Sequence, residues 1–171
     1  YPRIAIFVGL IAALGLLPAV NILPGVPVTA QTLGVMLAGA VLGSYRGTLA
    51  VFVFEVLVLA GLPLLAGGRG GVAVFAGPTA GYLIGWLIGA WVIGYVIHAL
   101  PKLPLAVSSA LAFVLGGIVA VYVPGILWLA YFNQAPVLAV ALGNAPFLVG
   151  DSVKVVIAVA VLLAVKAANP K

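Results

Sequence analysis

The stretch Ala145–Lys166 reads APFLVGDSVKVVIAVAVLLAVK, and its reading decides the fold. A helix needs about 20 mainly apolar residues to cross about 30 Å of hydrocarbon, and this run is long enough. Two opposite charges, Asp151 and Lys154, interrupt it. Each charge at a helix centre costs about 2.5–3.5 kcal/mol on the insertion scale, whereas each Leu, Ile, Val or Phe returns about 0.3–0.6 kcal/mol. With about a dozen such apolar residues the sums nearly cancel. The helix is stable in a bilayer only if the pair faces protein or water. Positions i and i+3 share a helical face, and intramembrane ionisable groups mark functional sites. The pair predicts a pocket that offers an acceptor and a cation to a small polar ligand. A self-neutralising ion pair that only sets helix register is the alternative. Asp151 stands about two turns from the outer end of this span, which suits a site reached from outside.

Composition supports a membrane reading. The chain has 171 residues, 66% hydrophobic and 5% charged, with a mean hydropathy of +1.42. Soluble domains are about 25% charged, so a soluble domain is excluded. Disorder is excluded too, since it requires low hydrophobicity and high charge. No cysteine is present, so there is no disulfide framework or thiolate site. The net charge is +5, but Arg3, Arg46, Arg69, Lys102, Lys154, Lys166 and Lys171 are scattered singly. Nucleic acid is therefore not expected as a partner. With one histidine and two acids, no metal site is expected. No G-x-x-x-x-G-K-[ST] occurs, so this chain does not cradle ATP phosphates.

Six spans are read, as one domain over residues 1–171: about Ile4–Val20, Ala30–Gly43, Thr48–Gly61, Thr79–Leu100, Leu105–Tyr122 (with a possible continuation past Pro124) and Ala145–Lys166. Tyr45-Arg46-Gly47 is expected to connect the second to the third. Ile4–Val20 is read as a span and not a signal peptide, since no small-residue cleavage pattern follows; the first residue, Tyr1, suggests a trimmed start. The short basic links and both termini share one side, with Arg3, Arg46, Lys102, Lys166 and Lys171. The links Asn21–Thr29, Leu62–Pro78 and Val123–Asn144 share the other, with only Arg69. The positive-inside rule then predicts cytoplasmic termini. Long continuous apolar runs exclude barrel strands.

Other polar residues extend the candidate site. Thr29, Gln31 and Thr32 lie at the outer mouth of the second span, with helix capping as the alternative for Thr29. Gly67-Gly68-Arg69-Gly70-Gly71 is a loop whose backbone amides, at Gly68 and Gly70 for instance, could approach a ligand closely, with a solvated flexible loop as the alternative. Thr79 and Tyr82 at the head of the fourth span join the candidate set. Glu55 is expected to line the same cavity or to pair with His98, Arg69 or Lys154, with an isolated protonated carboxyl in a helix interface as the alternative, and Asn144 is a further candidate for the lining. Trp86, Trp91, Trp128, Tyr122 and Tyr131 are read mostly as interfacial anchors, with one available to stack on a ring. Ala5, Gly9 and Ala13 form a small-residue stripe suited to docking another helix.

Pro27-Val28-Thr29-Ala30-Gln31-Thr32-Leu33, Ala38-Gly39 with Leu42-Gly43, Gly61-Leu62-Pro63 with Ala66-Gly67-Gly68-Arg69-Gly70-Gly71, Gly77-Pro78-Thr79-Ala80-Gly81-Tyr82 and Asp151-Ser152-Val153-Lys154 together resemble the BioY family. That family comprises the biotin-specific substrate-binding (S) components of energy-coupling factor transporters. The resemblance implies an all-α, six-helix S-component bundle in the prokaryotic cytoplasmic membrane, with a deep outward site for biotin. It implies as partners a transmembrane coupling protein and a pair of ATP-binding-cassette ATPases, which use the ATP; this chain itself needs no cofactor. It places Asp151 and Lys154 against biotin, with the first and third outer loops closing over it. Asp151 is expected to accept from the ureido N–H groups. Lys154 meets either the carbonyl or the carboxylate, and Arg69 is its rival for the latter. The Ala5, Gly9 and Ala13 stripe resembles the surface by which S components dock. Leu64-Leu65 departs from a bulkier Val-Phe-type pair, implying a different pocket wall.

Biotin capture for ATP-driven uptake is the expected function. The alternatives are an S component for another vitamin, a structural membrane subunit, and an intramembrane enzyme using Asp151 and Lys154 as acid and base. The enzyme reading is weakened because no nucleophile accompanies the pair.

Overall fold

The computed structural model describes residues 2–17, 20–23, 26–28 and 30–168. Helices dominate, as they must where no water satisfies backbone groups. They are α1 (Pro2–Leu14), α2 (Gln31–Leu59), α3 (Val72–Phe75), α4 (Ala80–Ala99), α5 (Leu105–Val114), α6 (Ala120–Asn133), α7 (Val137–Asn144) and α8 (Phe147–Ala168). Two short strands, β1 (Val20–Leu23) and β2 (Val26–Val28), pair antiparallel between α1 and α2. The expected first span is thus shorter than read, since α1 ends at Leu14 and a turn follows.

The run α2 is two helices that meet at Gly43. Its φ of 89° and ψ of 177° lie outside the helical region, in backbone space that L side chains rarely adopt. Ile4, Ala38 and Ala50 share one packed cluster, although Ala38 and Ala50 would be about 18 Å apart along a straight helix. A Cβ at Gly47 would fall 2.7 Å from the Ala38 carbonyl oxygen. The chain therefore reverses at Gly43, and its two arms lie side by side. The reversal falls at Gly43, and the expected connection Tyr45-Arg46-Gly47 is helical.

Beyond α2, α5 continues through a π-helical turn (Leu115–Val119) into α6, which runs past Pro124 to Asn133. Most of the expected loop Val123–Asn144 is therefore helix, formed by the end of α6 and by α7. Among the described residues, four helical runs are long and apolar enough to cross a membrane: Gln31–Leu59, Ala80–Ala99, Leu105–Asn133 and Phe147–Ala168.

Helix α4 is the centre of the bundle and packs on α2 and on α6. Gly81, Gly85 and Gly89 recur every fourth residue along its α6 face. A Cβ at Gly85 would lie 2.7 Å from Val121 Cα, so side chains are excluded there and the backbones close up. Such stripes suit membranes, where packing replaces the hydrophobic drive. The core on the cavity side contains Ile11, Val35, Phe54, Trp86 and Val121; a second core contains Met36, Ile93, Phe113 and Leu162. Large apolar side chains such as Ile84, Leu127, Val149 and Val156 are exposed on the outside of the bundle. Ala5, Gly9 and Ala13 are exposed on α1, and a Cβ at Gly9 would meet nothing within 4 Å.

Candidate functional site

A cavity of about 660 Å³, open mouth included, lies between the first turn of α2, the loop after α2, and the facing sides of α4, α6 and α8. Helical spacing brings its residues together. Thr79, Tyr82, Leu83 and Trp86 stand at i, i+3, i+4 and i+7 at the head of α4, and Phe147, Asp151 and Lys154 stand at i, i+4 and i+7 on α8.

Asp151 and Lys154 form an ion pair, with Lys154 Nζ 3.0 Å from Asp151 Oδ1 and their side chains 11% and 13% exposed. Lys154 Nζ also donates to Thr32 Oγ1 at 2.8 Å. The Tyr122 hydroxyl donates to the other carboxylate oxygen, Oδ2. Charges taken from water must be compensated by partners and good geometry, and each atom of this pair has such a partner. The pair contributes no net charge.

Arg69 is the third ionised group on the wall. Its guanidinium donates to two neutral acceptors, the Ala66 carbonyl and Thr79 Oγ1, both at 3.3 Å. Among the described residues it has no carboxylate partner within ion-pair distance. Partial burial lowers its pKa from the ordinary guanidinium value, although arginine stays protonated in proteins. With Asp151 and Lys154 cancelling, Arg69 gives the cavity a formal charge of +1. The site therefore presents a fixed acceptor–donor pair deep in the wall, apolar and aromatic surface from Leu83, Trp86, Val121 and Phe147, and a cation in the covering loop.

Seven of the residues singled out from the sequence line this cavity: Gln31, Thr32, Arg69, Thr79, Tyr82, Asp151 and Lys154. Gly68 and Gly70 do not. The Gly68 amide donates to the Leu65 carbonyl at 3.0 Å, closing a tight turn in which Gly67 and Gly68 have φ of 81° and 74°. The glycines shape the loop so that Leu65 and Arg69 face the cavity. Asn144 is buried behind the wall, where it accepts from the Tyr82 hydroxyl at 2.6 Å and donates to the Val140 carbonyl at 3.1 Å. Glu55 is 6% exposed, lines no part of this cavity, and pairs with none of His98, Arg69 or Lys154; its Oε2 has no hydrogen-bond partner among the described residues. Thr29 lies outside the described residues.

Trp86 and Tyr122, read mainly as interfacial anchors, are part of the wall, and Tyr122 bonds Asp151 directly. A signal for Trp86 was present, since it stands four residues after Tyr82 and shares its face. Tyr122 carries no comparable signal, because the π-helical turn before it resets the facing of α6.

The model of the BioY family matches residues 2–171. A biotin transporter BioY from Rhodobacter capsulatus is 49% identical over 163 residues, covering 90% of this chain and 86% of that protein. Another, from Rhizobium etli, is 46% identical over 160 residues, with 90% and 86% covered. A crystal structure at 2.1 Å of the S-component for biotin from an ECF-type ABC transporter superposes with a TM-score of 0.93 at 33% identity, covering 97% of this chain and 89% of that one. With nearly its whole length matched, this chain belongs to the BioY family.

Proposed function

We propose that this chain is the biotin-capturing subunit of an uptake system and binds the vitamin in the cavity between α2, α4, α6 and α8. The supporting observation is the division of the wall. The acceptor Asp151 and the donor Lys154 are held deep and mutually neutralised, while Arg69 stands apart with neutral partners. Biotin has the same division: a neutral ureido ring with two N–H donors and one carbonyl, a hydrophobic bicycle, and an anionic valerate. Asp151 accepts from the ureido N–H groups and Lys154 donates to the carbonyl. Trp86 and its apolar neighbours cover the ring system, and Arg69 takes the carboxylate in a charge-assisted pair.

In the same reading the chain crosses the cytoplasmic membrane six times, the two arms of α2 each making a pass. The ends carrying Arg3, Arg46, Lys102, Lys166 and Lys171 lie in the cytoplasm, as the positive-inside rule requires. The stacked pair Trp91 and Tyr95 lies on the second half of α4 and the Trp128, Tyr131 and Phe132 group on the last turns of α6, and both are taken as interfacial aromatics. The exposed Ala5, Gly9 and Ala13 face of α1 receives a transmembrane coupling protein, and a pair of ATPases on that partner uses the ATP.

Calorimetric titration of the purified chain in lipid nanodiscs tests the proposal. Saturable binding of one biotin per chain, weaker for biotin methyl ester, is expected. Absence of any heat with biotin overturns it.

A further inference from the structure

One side chain joins the cavity wall to α1. Gln31, 1% exposed, opens α2. Its Nε2 donates to the Ile11 carbonyl at 2.9 Å and to the Leu64 carbonyl at 3.0 Å, while its Oε1 accepts from the Ala66 amide at 3.0 Å. Ile11 belongs to the last turn of α1, whereas Leu64 and Ala66 belong to the loop that carries Arg69. The junction is closely packed, since a Cβ at Gly15 would lie 2.6 Å from Gln31 Nε2 and 2.8 Å from the Leu64 oxygen. A buried amide group stripped of its partners is costly, so loop and helix are held to one another through this residue.

We infer that Gln31 is a positioning residue, a clasp that fixes the loop 62–71 against the end of α1 and so links the placement of Arg69 in the cavity to the position of α1. A ligand that draws Arg69 inward pulls on Leu64 and Ala66, and through Gln31 on Ile11. The linkage is reciprocal: whatever prefers one position of α1 alters the affinity of the cavity by the same factor. The exposed small-residue face lies on that same helix, so the clasp is a hydrogen-bonded route from the cavity to a surface on the outside of the bundle. The ligand half of the inference rests on the proposed biotin site; the clasp itself does not.

Amide hydrogen exchange on the full chain in nanodiscs, with and without biotin, tests it in the parent and in Gln31→Met. Without ligand, segment 62–71 of the variant should exchange about tenfold faster, the scale expected when local opening loses a few hydrogen bonds, while α4 is unchanged. Saturating biotin should protect both 62–71 and 11–17 in the parent, but only 62–71 in the variant. A purely structural role would lower affinity and leave the protection of 11–17 intact at saturation. Unchanged ligand-free exchange in 62–71 overturns the clasp. Protection of 11–17 that persists in the variant, or is missing in a parent that binds biotin, overturns the link. If Gln31→Met does not fold, Gly15→Ala strains the same junction from the turn that follows α1 and carries the same expectations. A parent that gains no protection anywhere refutes the ligand assignment, and the ligand-free comparison still decides the clasp.

Discussion

Replacing Lys154 by Met separates what the buried pair does for the fold from what it does for the ligand. The substitution keeps the length of the side chain but removes the cation. Asp151 then keeps Tyr122 on Oδ2 and loses its partner on Oδ1, and Thr32 loses the donor at 2.8 Å. Both side chains are mostly buried, so solvent restores little. Breaking such a pair from one side costs about 3–5 kcal/mol, whereas replacing both partners by apolar residues of similar volume is often neutral or stabilising. For a chain of this size each kcal/mol moves the midpoint by about 2–4 °C, so Lys154→Met should unfold about 6–20 °C lower. The double variant Asp151→Leu with Lys154→Met should recover most of that loss. Biotin tells the two apart: neither variant should bind it well, with at least about a tenfold loss, or about 1.4 kcal/mol, for the single change. Thermal unfolding in detergent, followed by tryptophan fluorescence with and without biotin, reads both quantities. A single variant that binds like the parent would refute the reasoning. So would a double variant that regains biotin affinity as well as stability, for then the pair serves the fold alone.

Three further outcomes are expected. Arg69→Ala should weaken biotin by about tenfold or more while leaving the affinity for biotin methyl ester unchanged, since only a charged carboxylate needs the guanidinium; equal losses for both ligands in parallel titrations would remove Arg69 from the carboxylate. Gly85→Leu should destabilise the α4–α6 seam, where even a Cβ would fall 2.7 Å from Val121 Cα; at least the 1–3 kcal/mol or so typical of overpacking is expected, read as a lower unfolding midpoint. Glu55→Met should raise that midpoint, because a carboxyl oxygen without a hydrogen-bond partner among the described residues costs roughly 1–3 kcal/mol to bury, and biotin affinity should stay unchanged, as Glu55 lies off the cavity.

The sequence disclosed the lining of the candidate cavity better than the turns. Asp151 and Lys154 were legible because a charge in an apolar run has a known cost, and only a pocket or a partner removes it. Arg69 was legible as the lone charge of its loop. The reversal at Gly43 was placed at Tyr45-Arg46-Gly47 because polar side chains signal a helix end in water. In this bundle the backbone decides, and the residue with φ of 89° is Gly43. Pro124 left the end of the fifth span open; neighbouring helices let a membrane helix run through a proline, and α6 continues to Asn133. Gly68 and Gly70 were read as ligand-facing amides, but a glycine run specifies freedom and not direction, and here that freedom is used to close the turn that aims Arg69. Tyr122 was missed because its facing depends on an irregular turn that no periodic pattern encodes.

The most direct test of the account is a crystal structure of the chain soaked with biotin. The account predicts density for the bicycle against Trp86, with the ureido N–H groups within hydrogen-bond distance of Asp151 and the valerate carboxylate at Arg69. Density with the carboxylate buried at Lys154, or a ligand lying outside this cavity, would contradict it.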